Sequence, residues 1–199
     1  MDLLRDITTL AVRQQTEWVE VLANFETQNR YVVCDAQGQE LLYAAEHSGV
    51  AGRMFLQTSR PFTIDVLDAQ GTRLLRLKRP WRLYFHQVTV LDGNDRPLGS
   101  VVRRFSLARR IYSVLDADGT ELVRLFGPVL HPWTFRILED GREVGSIRKR
   151  WSGLGKEAFT DADNFGVEMP AEMAPTTKAL LLGAVFLIDY VHFEKPTRN

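Results

Sequence analysis

Beyond Asn29 this chain reads as short runs of alternating apolar and polar residues separated by tight turns. Three turns share one plan: Asp35-Ala36-Gln37-Gly38-Gln39, Asp68-Ala69-Gln70-Gly71-Thr72 and Asp116-Ala117-Asp118-Gly119-Thr120. In each, the opening Asp can accept hydrogen bonds from the turn backbone, and the Gly supplies the positive φ that lets the chain reverse. Asp92-Gly93-Asn94-Asp95 and Glu139-Asp140-Gly141 follow the same chemistry, and Asp161 to Asn164 makes a sixth turn. Six hairpins imply about twelve antiparallel strands, a number that suits a barrel or a sandwich.

Two segments depart from the period of two. Near the start, Leu3, Ile7, Leu10, Trp18, Val21, Leu22 and Phe25 recur at helical spacing, which predicts an N-terminal amphipathic helix over residues 1–24. Its polar face carries Asp2, Asp6, Glu17 and Glu20. That suits docking on the domain better than lying on anionic lipid, where Lys and Arg are favoured. Toward the C-terminus, Ala179 to Ile188 is apolar throughout and is bracketed by Lys178 and Asp189. Ten helical residues rise about 15 Å, half of a hydrocarbon core of about 30 Å. The physical default is a helix buried on all sides by protein, with a membrane anchor over 178–193 as the alternative.

This helix decides between the two β architectures. A sandwich has no place for an element that is apolar all round, whereas a twelve-stranded barrel has a lumen that must be filled. Gly183 and Ala184 would let barrel-wall side chains approach closely. The expected fold is therefore mainly β: one domain over 25–199, closed as an antiparallel barrel around a central helix at 176–193.

Composition narrows the function more than it defines it. The 199 residues carry no net charge, yet the charges are unevenly spread. Residues 71–110 hold Arg73, Arg76, Lys78, Arg79, Arg82, Arg96, Arg103, Arg104, Arg109 and Arg110 against only Asp92 and Asp95. A basic middle of this kind attracts phosphate on lipid or nucleic acid. Cys34 is the single cysteine, which fits a reducing compartment, and Met1 to Asp6 lacks the pattern of a secretory signal. A cytoplasmic protein, peripheral at the cytoplasmic face of a membrane, is expected. His47, His86, His131 and His192 have no partner at zinc-site spacing. No phosphate loop or nucleophile elbow occurs, so covalent catalysis is not expected.

Arg150-Trp151-Ser152-Gly153-Leu154 and Glu157 through Gly166 closely resemble the phospholipid scramblase family. Further matches in the family's order are Phe25 to Tyr31, Ala44-Ala45-Glu46, Ser59-Arg60-Pro61-Phe62 and Gly183 to Asp189. The resemblance implies a Tubby-like barrel of about twelve strands around one hydrophobic C-terminal helix. It also implies ATP-independent, calcium-dependent movement of phospholipids between leaflets. The Pro-rich extension and palmitoylated Cys cluster of larger members are not found here, and Trp81 to His86 is aromatic where the cluster would fall.

Within that resemblance, Asp161 to Glu172 corresponds to the proposed calcium segment. Laid on an EF-hand loop, Asp161, Asp163 and Glu172 take the first, third and twelfth positions, with Glu168 a further candidate. Phe165 then stands where an oxygen ligand belongs, and Phe165, Val167 and Met169 alternate as a strand would. A weak calcium site and a plain turn both remain open. For anionic lipid the candidates are Arg76 with Lys78 and Arg148 with Arg150, pairs that share strand faces. Lys149 lies between the latter two, in a stretch that resembles one linked to nuclear import. Arg103, Arg104, Arg109 and Arg110 flank the apolar Phe105-Ser106-Leu107-Ala108. The expected partner is an anionic phospholipid surface. A soluble module binding headgroups, a protein or a second copy of the chain is the competing class, with nucleic acid ranked behind.

Overall fold

The computed structural model describes residues 2–15, 27–47, 61–81, 86–149 and 164–193. Within these, the alternating runs become twelve strands that close into one antiparallel barrel. They are β1 (Thr9–Gln15), β2 (Thr27–Cys34), β3 (Glu40–His47), β4 (Phe62–Leu67), β5 (Arg73–Arg79) and β6 (Gln87–Asp92). The second half comprises β7 (Pro97–Arg104), β8 (Arg110–Asp116), β9 (Glu121–Gly127), β10 (Thr134–Glu139), β11 (Arg142–Lys149) and β12 (Phe165–Glu168). Each strand pairs with its sequence neighbour, and β1 closes the ring against β12. A single helix, α1 (Pro175–His192), follows.

The turns form as their chemistry dictates. Asp35, Asp68 and Asp116 each accept two backbone N–H bonds on one carboxylate oxygen, from the second and fourth residues onward, at 2.8 to 3.0 Å. Gly38, Gly71 and Gly119 take φ of 83°, 77° and 88°. These turns lie at one end of the barrel, with those at 93–96 and 140–141. The longer connections 80–86, 105–109 and 128–133 lie at the other, here called the loop end.

The N-terminal amphipathic helix is not what residues 2–15 form. Asp2–Leu4 is a single 3-10 turn and Thr9–Gln15 is a strand. Leu10 and Val12 satisfy a period of two as well as they join a helical stripe, and pairing decides the outcome. Leu10 opposes Val167 of β12 and Val12 opposes Val33 of β2, so this strand removes the two free edges that an open sheet would leave. Residues 16–24 of the expected helix lie outside the described residues. The strand count agrees with expectation, with β1 supplying a strand where a helix was expected; of the sixth turn, Asp161 to Asp163 lie outside the described residues.

α1 fills the lumen. Every residue from Thr177 to Ile188 is buried, including Lys178, and its length of about 27 Å carries it from the turn end to the loop end. The wall offers Leu10, Val33, Ala44, Val66, Leu77, Val90, Val101, Val114, Leu125, Ile137, Ile147 and Val167, each buried in the same core. Gly183 is required by proximity: a Cβ there would lie 2.7 Å from Val90 Cγ2. Lys178 is held at the turn end, where its Nζ donates to the carbonyls of Arg5 at 2.6 Å and Ala171 at 2.9 Å. No helix among the described residues is long and apolar enough to cross a membrane.

Candidate functional site

The described cations of residues 71–110 separate into groups once strands are paired, Arg82 lying outside the described residues. Arg76 faces outward from β5 opposite Asp65 of β4. Its Nε and Nη2 donate to the two Asp65 oxygens at 2.6 and 2.8 Å, and Nη1 reaches Asp95 at 3.3 Å. Burial alone would raise the Asp65 carboxyl, but hydrogen bonds from Arg76 and His47 and their charges hold it below the usual carboxylate range. Arg73 and Lys78 also turn to Asp95, at 2.8 and 3.9 Å. Arg76 is thus largely neutralised by the protein's own carboxylates, while Lys78 stays half exposed beside the Asp95 that both arginines share.

At the loop end the balance differs. Arg104 donates from Nε to the Ser113 hydroxyl at 2.8 Å, which in turn donates to Glu121 at 2.5 Å. Arg110 is occupied: its guanidinium donates to the backbone carbonyls of Pro132, Pro128 and His131 and lies 4.7 Å from the Phe135 ring centroid. It therefore pins the β9–β10 connection to the start of β8. Arg109 is exposed and places its guanidinium 5.4 Å from the Phe126 centroid. Arg103 opposes Tyr112 across the sheet and alternates with the lumen-facing Val101, so its side chain rises at the inner lip of the barrel. Its guanidinium has no hydrogen-bond or ion-pair partner among the described residues.

Below that lip lies a ring of buried polar groups around the end of α1. Arg79 donates to His86 Nδ1 at 2.6 Å and stacks over Tyr190 at 4.3 Å. Tyr112 Oη lies 2.8 Å from His192 Nε2. Burial, then the charges of Arg79 and Arg103, pulls His86 down to about 4. Burial, then Arg103 and Arg110, pulls His192 down to about 3. Both imidazoles are therefore neutral at pH 7, and each can accept the bond from its cationic or phenolic neighbour. Lys149 pairs with Asp189 of α1 at 3.2 Å and lies between the rings of Phe165 and Phe193.

Of the calcium candidates, Glu168 and Glu172 lie among the described residues. Asp161 and Asp163 lie outside the described residues, as does Arg150. The chain then enters β12, hydrogen-bonded on both sides through Val167 to Leu10 and to Ile147. Four extended residues carry it about 13 Å, away from the loop end. Glu168 meets Ser146 at 3.3 Å and Arg148 at 3.6 Å, and Glu172 is exposed at the opposite end of the barrel. A strand cannot also wrap an ion, so Phe165 to Glu168 does not form the middle of an EF-hand loop.

Pairing and loop geometry also reveal residues that the alternating pattern does not single out. Trp81, Val129, Leu130 and Trp133 are exposed at the loop end beside Phe105 and Leu107. The signal available in the sequence was the Pro-bounded apolar run Pro128-Val129-Leu130-His131-Pro132-Trp133, which has no alternation to bury it.

Comparison with known proteins places the chain. It is 32% identical over 209 residues to phospholipid scramblase 1 of Rattus norvegicus, covering 98% of this chain and 62% of the relative. It is 33% identical over 208 residues to phospholipid scramblase 2 of Bos taurus, covering 98% and 71%. The chain thus spans somewhat under two thirds of the rat protein's length. An X-ray structure of an Arabidopsis thaliana protein shares the fold, with a TM-score of 0.55 at 14% identity and 96% of both chains covered. The closed barrel around one helix is the Tubby-like architecture expected above. The Scramblase family model matches residues 1–195, and the chain belongs to that family.

Proposed function

We propose that this chain engages anionic phospholipid at a membrane face and promotes ATP-independent exchange of phospholipid between leaflets. The observation that carries the reading is the contrast among its cations. Arg76 is neutralised by Asp65 and Asp95, whereas Arg103 and Arg109 keep unpaired guanidinium N–H groups beside the exposed Phe105 and Leu107. Guanidinium groups next to apolar side chains suit a phosphate headgroup with its acyl chains. Family membership supplies the exchange activity in this reading, and the relatives' names are its support.

No step is routed through calcium, because Phe165 to Glu168 is a strand where an EF-hand would need an ion-wrapping loop. The residues that act are the cations that meet phosphate and the barrel that presents them. A second reading is favoured by one observation: α1 is buried along the lumen, which suits a headgroup-binding module that moves no lipid. Reconstitution into vesicles carrying a fluorescent phospholipid separates the two. The expected result is faster leaflet exchange without ATP, lost in an Arg103→Gln/Arg109→Gln variant. Binding without exchange selects the module. Calcium is added in a parallel arm, with Asp161→Asn/Asp163→Asn as its control.

A further inference from the structure

Apart from Leu3, every large apolar side chain exposed among the described residues lies at the loop end. Phe105 is 78% exposed, Leu107 94%, Val129 63% and Leu130 87%, with Trp81 and Trp133 about half exposed. They stand on the β5–β6, β7–β8 and β9–β10 connections, which are successive around the rim because β5 through β10 are neighbours in the barrel. The β9–β10 connection is braced: Arg110, which opens β8 directly after the β7–β8 connection, holds three carbonyls of 128–133, and Trp133 stacks on Phe193 at 5.2 Å. The tip carrying Val129 and Leu130 is therefore preorganised.

Charge identifies the occupant. The described residues of these three connections include Arg109 and no Asp or Glu. Arg103, at the lip below the tips, has no partner among the described residues. The opposite end carries Asp35, Asp68, Asp92, Asp95, Asp116, Asp118 and Asp140 on its turns. Among the described residues the barrel is thus polarised along its axis, acidic at the turns, and apolar with Arg103 and Arg109 at these three loops. A purely apolar partner would leave these two cations uncompensated. An anionic bilayer takes apolar side chains beneath its headgroups, Trp at the interface and Arg at the phosphates.

Resting on the membrane reading above, we propose that the loop end is the face that docks on an anionic phospholipid bilayer. Phe105, Leu107, Val129 and Leu130 enter beneath the headgroups, Arg103 and Arg109 meet phosphate, and α1 stands along the membrane normal with its C-terminal end toward the lipid.

The test places an environment-sensitive fluorophore on Leu107→Cys, or on Gln70→Cys at the turn end, in the full chain, where native Cys34 is buried. Vesicles of phosphatidylcholine with and without phosphatidylserine are then added. The expected result is a blue shift at position 107 that a lipid-borne quencher reaches, with no change at position 70. A Phe105→Ser/Leu107→Ser/Leu130→Ser variant should unfold at the wild-type temperature, since its targets are exposed, yet bind vesicles about tenfold or more weakly. A shift at position 70 alone, or wild-type vesicle binding by the triple Ser variant, overturns the proposal while leaving the membrane reading intact. Wild type that binds no vesicle sinks both. Loss of self-association with vesicle binding unchanged would make this face a contact between copies and overturn the docking.

Discussion

Gly183 shows how much of this molecule depends on single atoms. The methyl of Val90 occupies the place where a side chain at 183 would begin, so Gly183→Ala should destabilise the barrel by about 1–3 kcal/mol through overpacking. Chemical denaturation measures the loss, and adding Val90→Ala should recover part of it, because the two residues share one space. A second residue-scale expectation concerns pH. His86 and His192 sit well below the ordinary value of 6.5, at about 4 and about 3. The unfolded chain therefore binds more protons than the folded one across that interval. Stability should be full above pH 6.5 and fall steadily as the pH approaches 4. The depressed carboxylates Asp65, Asp92 and Glu121 titrate lower than their ordinary range and lose their contribution only as pH falls through and below it. Thermal unfolding followed across this window should therefore flatten in a His86→Gln/His192→Asn variant.

Among the elements, those set by local chemistry were legible and those set by distant pairing were not. The Asp and Gly turns and the all-apolar α1 carry their instructions within a few residues, and the helix begins and ends within one residue of expectation. β1 was misread because Leu10 and Val12 satisfy two periods at once, and only its pairing with β12 selects the strand. The candidate site divides in the same way. That residues 71–110 are basic is visible in composition, but which guanidinium groups stay free depends on partners across the sheet. Asp65 takes Arg76, and the carbonyls of Pro128, His131 and Pro132 take Arg110. Deuterium exchange should reflect this hierarchy. Amides of α1 from Leu180 to Ile188 should open only with global unfolding, and fast exchange there in folded protein would remove the helix from the lumen.

At the scale of the whole molecule, a docked loop end lets the protein meet lipid while its core stays closed. Releasing α1 would expose helix and lumen together, at a cost comparable to the total stability of a domain, about 5–15 kcal/mol. The seam between β1 and β12 carries a different consequence, one for synthesis. It joins the first strand to leave the ribosome to the last, and the helix that plugs the lumen emerges later still. Until residue 168 is available the sheet has two unpaired edges and an uncovered apolar face, the features that invite aggregation. A nascent barrel of this design is thus a client for chaperones until its last strand has been made, and stalled chains ending before β12 should accumulate on them.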